Sequence, residues 1–572
     1  MTLPATGART LAMFQRTKWM GCNVQPLLQP ITSILGSYRC PQCATIQKRA
    51  ATQNCVNRNR ELSEYTSGRW LFNESIRLLE RRLAFNVDEL KKAAARALGR
   101  PATEVKSLLK LLEGGFNRVF EITMEDGTSI LARLPYPSTR PRRLAVASEV
   151  ATMDFVRAHG IPTPQILGYA MHDNPVGSEY ILMEKLPGKP IGDAWVDLSE
   201  QQRLQVLYDV VQLEAKLFDI KLPASGSIYY NKDLEPGSPM LDIEGFGSKF
   251  CVGRYTGLRW WFGTRQDLKT DRGPHSEPLR ALQAPAEKEL AWIHEYGRPR
   301  YPFRRQHREA FNYEKQDPSV HTKSLQDYLH ISPHMLPKNP ELLRPILRHP
   351  DVQPNNIFIS EDFRISGLID WQHSVALPTF LAAGIPNSFQ NYNDAESRSF
   401  SPPQRPTGLD PMDDTERSRV LEEYRRRYIH FYYLGFTQRL NERHWLALED
   451  EMDILRRRMF DHAGEPWEEL DKLTSLNTGG NTKTCPVSFA QEEAERIDAL
   501  DNLHREADGD VENINDLIGI GSDGWTTNEL FEDAKIKAAE IREQALASAN
   551  DDTWLRETSE RHWPFDNFDE ED

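Results

Sequence analysis

Apolar positions repeat at helical spacing from Phe72 to Leu98, through Leu78, Leu79, Leu83, Phe85, Val87 and Leu90. Asn86-Val87-Asp88 breaks the run with a capping signal, which predicts two helices in tandem. The period then changes. Val105 to Leu112, Val119 to Thr123 and Ser129 to Leu134 read as strands, joined by turns at Glu113 to Arg118 and Glu125-Asp126-Gly127. A helix follows over Ala145 to His159 and is closed by Pro162-Thr163-Pro164. Strands come next at Gln165 to Ala170 and Glu179 to Glu184, then an amphipathic helix over Leu198 to Phe218. From Lys221 to Pro345 the pattern is aromatic and irregular. Order returns as a hairpin, Ile357 to Ile359 against Ile365 to Ile369, with Ser360-Glu361-Asp362 at its turn. A Pro/Asn/Ser-rich passage leads to amphipathic helices over 414–460, and further helical patches cover Gln491 to Ala507 and Thr527 to Ala547. The expectation is an α+β chain, β-rich early and helical late, without internal repeats.

Composition narrows the class. The 572 residues are 39% hydrophobic, enough for a sizeable core, and their net charge of −14 argues against nucleic acid as the main partner. No stretch of 18 apolar residues predicts a transmembrane helix. Charge is uneven. Residues 1–60 hold Arg9, Arg16, Lys18, Arg39, Lys48, Arg49, Arg58 and Arg60 and no acid before Glu61. That composition reads as a mitochondrial transit peptide, implying the mitochondrial import machinery as a partner and a mitochondrial, matrix location. Cys22, Cys40, Cys43 and Cys55 lie in this leader. Cys40 and Cys43 form a CxxC without a matching second pair. Beyond the leader only Cys251 and Cys485 remain, which is no disulfide framework.

The chemistry concentrates in RHPDVQPNNIFIS (348–360) and ISGLIDWQH (365–373). The hairpin returns Asp370 beside Asn356, and a carboxylate facing an amide oxygen is a hard-oxygen site suited to Mg²⁺ carried on a nucleotide. Asp351, just before the hairpin, stands where it can orient a hydroxyl proton.

His349-x-Asp351-x4-Asn356, with Asp370 fourteen residues later, resembles the catalytic and metal loops of protein-kinase-like phosphotransferases. HPDVQPNN followed by IDW is similar to the aminoglycoside phosphotransferase branch. YTSGRWLFNESIRLLERRLAFNVDEL (65–90), PASGSIYY (223–230) and RWWFGTR (259–265) resemble the fungal altered inheritance of mitochondria protein 9 family.

The resemblance implies a two-lobed kinase-like fold. Residues 61–100 would be a helical extension, 101–190 the N-lobe, 191–460 the C-lobe with an insertion, and 461–572 an acidic helical extension with a solvated tail. The implied activity is transfer of the ATP γ-phosphoryl to a hydroxyl of a small-molecule acceptor, with Mg²⁺. Asp351 would be catalytic, and Asn356 and Asp370 would bind metal. The Gly-rich stretch Gly114, Gly115 and Asn117, with Arg133 paired to Glu149, would hold phosphates. Backbone at Met183 and Glu184 would hold adenine, although an apolar strand leaving a sheet has the same letters. The insertion carries Trp260, Trp261, Phe262, Tyr301 and Phe303 among Arg259, Arg265, Arg272, Arg298 and Arg300. It reads either as an acceptor site for an anionic or planar molecule or as core aromatics overlaid by arginines. Gln353 stands where protein kinases place a Lys, which keeps open a nucleotide-binding pseudokinase or scaffold for mitochondrial maintenance.

Overall fold

The structure, a computed structural model, describes residues 61–171, 173–467, 491–548 and 553–569. The leader with its CxxC, and Cys485, lie outside the described residues.

A short strand, β1 (Arg69–Trp70), precedes α1 (Glu74–Glu80) and α2 (Val87–Ala97). The Asn86 side chain caps α2, accepting from Asp88 N and Glu89 N at 3.1 Å. Its buried Leu90, Ala93 and Ala94 pack on Phe120, Ile122 and Ala132 of the sheet that follows. That sheet contains β2 (Val105–Glu113), β3 (Asn117–Met124), β4 (Ser129–Pro135), β5 (Ile166–Ala170) and β6 (Tyr180–Glu184). It is antiparallel in the order β2-β3-β4-β6-β5. Between β4 and β5 runs α3 (Leu144–Ala158), whose inner face is almost wholly buried.

The second lobe begins with β7 (Lys189–Pro190) and α4 (Glu200–Asp219). A capping box fixes the start of α4: Gln202 N donates to Ser199 Oγ (3.2 Å) and Ser199 N to Gln202 Oε1 (2.9 Å). The largest core runs without a break from α3 and β6, through Val206, Val210 and Leu217 of α4, to Ile357, Leu368 and Trp371. The lobes therefore share apolar contacts along one side.

Residues 221–345 are more ordered than their letters suggest. They hold a three-stranded sheet of β8 (Ser227–Tyr230), β9 (Leu241–Asp242) and β10 (Phe250–Gly253), then α5 (Pro278–Tyr296) and α6 (Pro318–Ile331). Proline opens both helices at the first turn, where no N–H is missed, and Pro285 lies inside α5. Beyond them, β11 (Pro345–Leu347), β12 (Ile357–Ile359), β13 (Ile365–Leu368) and β14 (Ala376–Pro378) frame the loop that carries Asp351. Helices α7 (Asp414–Leu440), α8 (Glu442–Leu448) and α9 (Asp453–Gly464) complete the lobe. The result is a two-lobed, kinase-like α+β fold with helices added at both ends.

The final segment folds back. It comprises α10 (Gln491–Ile518), β15 (Trp525–Thr526), α11 (Phe531–Ser548) and α12 (Thr553–Arg561). β15 pairs antiparallel with β1, and Ile518, Ile520, Trp563 and Phe565 form a small core with Leu71 and Phe72. Its other side rests on the insertion: Arg305 Nη1 donates to Trp563 O (2.6 Å), and the rings of His307 and His504 stack 4.3 Å apart. Among the described residues no helix is long and apolar enough to cross a membrane.

Candidate active site

The hairpin forms as its spacing predicts. Ile357 lies opposite Leu368 and Phe358 opposite Gly367, and Ile369 N donates to Asn356 O at 3.0 Å. Asn356 and Asp370 are thereby held side by side at its open end.

Three anchors position the preceding loop. The partly buried Arg348 pairs with Glu214 of α4 and donates to Ala382 O at 2.9 Å. His349 accepts from Asp351 N on Nδ1 (3.1 Å) and faces Ile369 O with Nε2 (2.8 Å), so the Nε2–H tautomer satisfies both contacts. Burial lowers the His349 pKa, which keeps the ring in this neutral form. Asn356 Nδ2 then donates to Asp351 O (2.9 Å) and Oδ2 (3.2 Å). The Asp351 carboxylate is exposed, and Gln353 Nε2 donates to it.

The small lobe reaches down through Arg133 on β4. Its guanidinium pairs with Glu149 of α3, with Asp370 Oδ1 (2.7 Å) and with Gln372 Oε1 (2.8 Å). Asn117 Nδ2 donates to the same Gln372 Oε1 at 2.6 Å. Burial pushes the Glu149 pKa up to about 7 against the opposing pull of Arg133. Burial also acts to raise Asp370, but Arg133 outweighs it and the carboxyl lies below its ordinary range. Asp370 has a positive φ of 68°, a conformation Asp tolerates and one found where a site constrains the backbone.

Gly114 and Gly115 form the β2–β3 turn, closed by Gly114 N donating to Asn117 O at 2.9 Å. Neither has positive φ, and a Cβ would meet only Asn117 O, at 3.6 Å from Gly114. The turn's own geometry therefore does not require glycine. Met183 is buried in β6. Glu184 N donates to Gln165 O (2.9 Å), and its carboxylate accepts from Gln165 N (3.0 Å). These Glu184 groups face β5.

The insertion's aromatic-arginine set is divided: Trp260, Trp261, Arg265 and Arg272 are interior, whereas Phe262 and Arg298 are exposed. Trp260 and Trp261 are buried, Arg265 and Glu289 form a fully buried bidentate pair (2.8 and 2.6 Å), and Tyr301 and Phe303 pack on His562 and Phe568 of the final segment. Two residues at the site had no separate signal in the sequence. Gln372 joins Arg133 to Asn117, and His373 holds Thr256 O with Nδ1 at 2.8 Å while its ring meets Phe116. Their only cue was adjacency to Asp370.

Asn356 and Asp370 could hold a divalent cation. The Asn356 Nδ2 bonds to Asp351 turn the amide oxygen, the atom that ligates, away from that residue. Among the described residues no three His, Cys, Asp or Glu side chains gather as a metal cluster. One carboxylate and one amide oxygen suit Mg²⁺, which keeps water and substrate phosphate as its remaining ligands.

A cation on the small sheet, paired with a helix Glu above a loop that presents Asp, Asn and Asp, is the arrangement of kinase-like proteins. Residues 108–378 match the model of the phosphotransferase enzyme family. The chain is 29% identical over 504 residues to a subtelomeric hrmA-associated cluster protein of Aspergillus fumigatus, covering 80% of this chain and 96% of that one. It is 23% identical over 492 residues to altered inheritance of mitochondria protein 9, mitochondrial, of Saccharomyces cerevisiae, covering 75% and 74%. Among solved structures it is similar to an ethanolamine kinase of Plasmodium vivax (14% identity, TM-score 0.29, covering 64% of this chain and 83% of that one).

Proposed function

We propose that this protein is an ATP- and Mg²⁺-dependent phosphotransferase acting on a hydroxyl of a small molecule in mitochondria. The observation that carries the reading is the junction at Asp370, where a hairpin holding Asn356 and Asp370 meets a cation-carboxylate pair from the other lobe. Mg²⁺ would be held by Asn356 and Asp370 and would supply positive charge against the transferring phosphoryl. Asp351 orients the acceptor hydroxyl. The acceptor oxygen forms the new bond to phosphorus as the bond to the bridging oxygen breaks, and the proton leaves through the Asp351 carboxylate to solvent while ADP departs. Arg133 and the Gly114-Gly115 turn lie where phosphates would approach.

A second reading, a nucleotide-binding pseudokinase, draws on Gln353. Both Gln353 and Asn356 donate to Asp351, and a neutral amide stands where a kinase has a cation. One pair of variants separates the two readings. For an enzyme, Asp370→Asn loses Mg²⁺-dependent ATP binding, whereas Asp351→Ala keeps it and lowers phosphoryl transfer or ATP hydrolysis by about 10²–10⁴-fold. Unchanged turnover in Asp351→Ala sinks the enzyme reading. Mitochondrial placement draws on the acid-free basic leader and on the name of the yeast relative. Residues 1–60 fused to a fluorescent protein should enter mitochondria, and diffuse fluorescence would refute it.

A further inference from the structure

A cavity of about 610 Å³ opens where the end of α3, the middle of α4 and the β12–β13 hairpin meet. That volume lies within the range of small-molecule sites, roughly 300–1,000 Å³. Asp351, Asn356, Asp370 and Arg133 take no part in its lining, so it is a different place from the candidate active site. Ile161 and Leu213, both buried, give it apolar walls. Three cations, Arg157, Lys216 and Arg364, share the lining with one carboxylate, Asp209. All three cations are exposed, on a chain of net charge −14.

Asp209 is buried and already committed. Its Oδ1 accepts from Gln205 Nε2 (2.9 Å), and its Oδ2 from Arg364 Nε (2.8 Å) and Ile365 N (3.4 Å). Contact through Nε fixes Arg364 and leaves the two terminal nitrogens of its fork unbonded among the described residues. Arg157 Nη1 donates to Thr163 O (2.6 Å) and Lys216 Nζ to Gly160 O (3.4 Å), so both heads are drawn to one four-residue loop. Lys216 forms no ion pair among the described residues. The acids near these cations are engaged elsewhere. Glu184 Oε2, 3.8 Å from Arg157, accepts from Gln165 N (3.0 Å). Asp154 accepts from Tyr230 and Lys249, and Asp362 accepts from Ser360.

Two walls of the cavity lead directly to the candidate active site. Pro162 O accepts from Leu368 N (2.8 Å), two residues before Asp370 in the hairpin. Leu213 precedes Glu214, which pairs with Arg348 of the Asp351 loop. We infer that this cavity is a second ligand site, for a small organic phosphate held by Arg157, Lys216 and Arg364, whose occupancy steadies the hairpin presenting Asn356 and Asp370. A phosphate offers oxygens to cations arriving from several elements, and the apolar walls take the carbon part of the ester. Binding there requires no phosphoryl transfer, so failure of the phosphotransferase reading would leave it untouched.

The test uses the full chain. Glucose 6-phosphate is titrated calorimetrically to about 10 mM, with glucose as the neutral match and inorganic phosphate as the minimal probe. Saturable binding of glucose 6-phosphate is expected, at least about tenfold tighter than glucose. Lys216→Glu, at an exposed position, should abolish it, and Arg157→Gln should weaken it by about tenfold. Hydrogen exchange locates the ligand: added protection is expected at residues 160–163 and 364–369. Vesicles of phosphatidylglycerol, compared with phosphatidylcholine, separate the two sources of a phosphate. Retention on the former that Lys216→Glu abolishes supports the site with a lipid headgroup as ligand, and glucose 6-phosphate binding without retention supports it with a soluble ester. Three results overturn the inference: no saturable binding of either phosphate probe, equal binding by Lys216→Glu, or protection confined to residues 114–117 and 351–356. Binding that leaves 364–369 unprotected refutes the coupling to the hairpin.

Discussion

Arg133→Met isolates the central ion pair while keeping an unbranched side chain of similar reach. Glu149 is 3% exposed, and Arg133 is its hydrogen-bond partner in α3's buried face. Removing one member of a buried pair leaves an uncompensated charge, which costs about 3–5 kcal/mol. The loss must also depend on pH. Burial already raises the Glu149 pKa to about 7, and without Arg133 it rises further. A raised carboxyl contributes stability below its unfolded value, near 4.5, and loses it as pH climbs through the folded value. The variant should therefore be penalised less at about pH 5.5 than at about pH 9, where the native state must bury the ionised form. Hydrogen exchange of amides in α3 and β4 gives the local opening free energy and suits a chain too large for one two-state transition. Glu149→Gln in the Arg133→Met background should return about half of the loss, a coupling the double-mutant cycle measures directly. A penalty under about 1 kcal/mol at pH 9, equal penalties at both pH values, or strict additivity would each refute the reasoning.

His321 is 2% exposed, stacks on Trp467, and has its pKa lowered by burial to about 3. Because the native ring stays neutral while the unfolded one protonates, stability is complete above about pH 6.5 and declines as pH falls. The decline is about 2 kcal/mol by pH 5, so His321→Phe should flatten the acid limb of a melting-temperature profile. If the slope is unchanged, His321 does not contribute it. At Gly68 a Cβ would sit 2.4 Å from Thr526 O and 2.5 Å from the Trp525 ring, whereas at Gly115 it would meet nothing within 4 Å. Gly68→Ala should open the β1–β15 pair and expose residues 491–569 to limited proteolysis, and Gly115→Ala should not. Equal digestion of the two variants would count against the pairing.

The hairpin was legible because its chemistry is local. Asp351, Asn356 and Asp370 fall within twenty residues, and the alternation around them allows only one way back. Arg133 and Glu149 were legible through the resemblance, since nothing in the letters of β4 or α3 marks a pair across 16 positions. Asn117 and Gln372 meet from 255 residues apart, a distance no periodicity spans. The insertion misled for a different reason. Its letters look irregular, yet Pro278 and Pro318 occupy the first turns of α5 and α6, and β10 finds its partner β8 about twenty residues upstream. Two-residue strands such as β1 and β15 carry no alternation at all.

That β1–β15 pair also sets a timetable. Trp70, 2% exposed in the finished protein, donates its indole N–H to Asp523, 453 positions away. Chains are made at roughly 5–20 residues per second, so Trp70 waits on the order of 20 to 90 seconds before that partner exists. Over the same interval β1 lacks its partner strand β15, although Thr66 N and Ser67 Oγ can already hold Glu113, at 2.9 and 2.7 Å. A newborn chain must shield an uncovered tryptophan throughout that wait, and the cover it lacks is among the last pieces of the chain to be made.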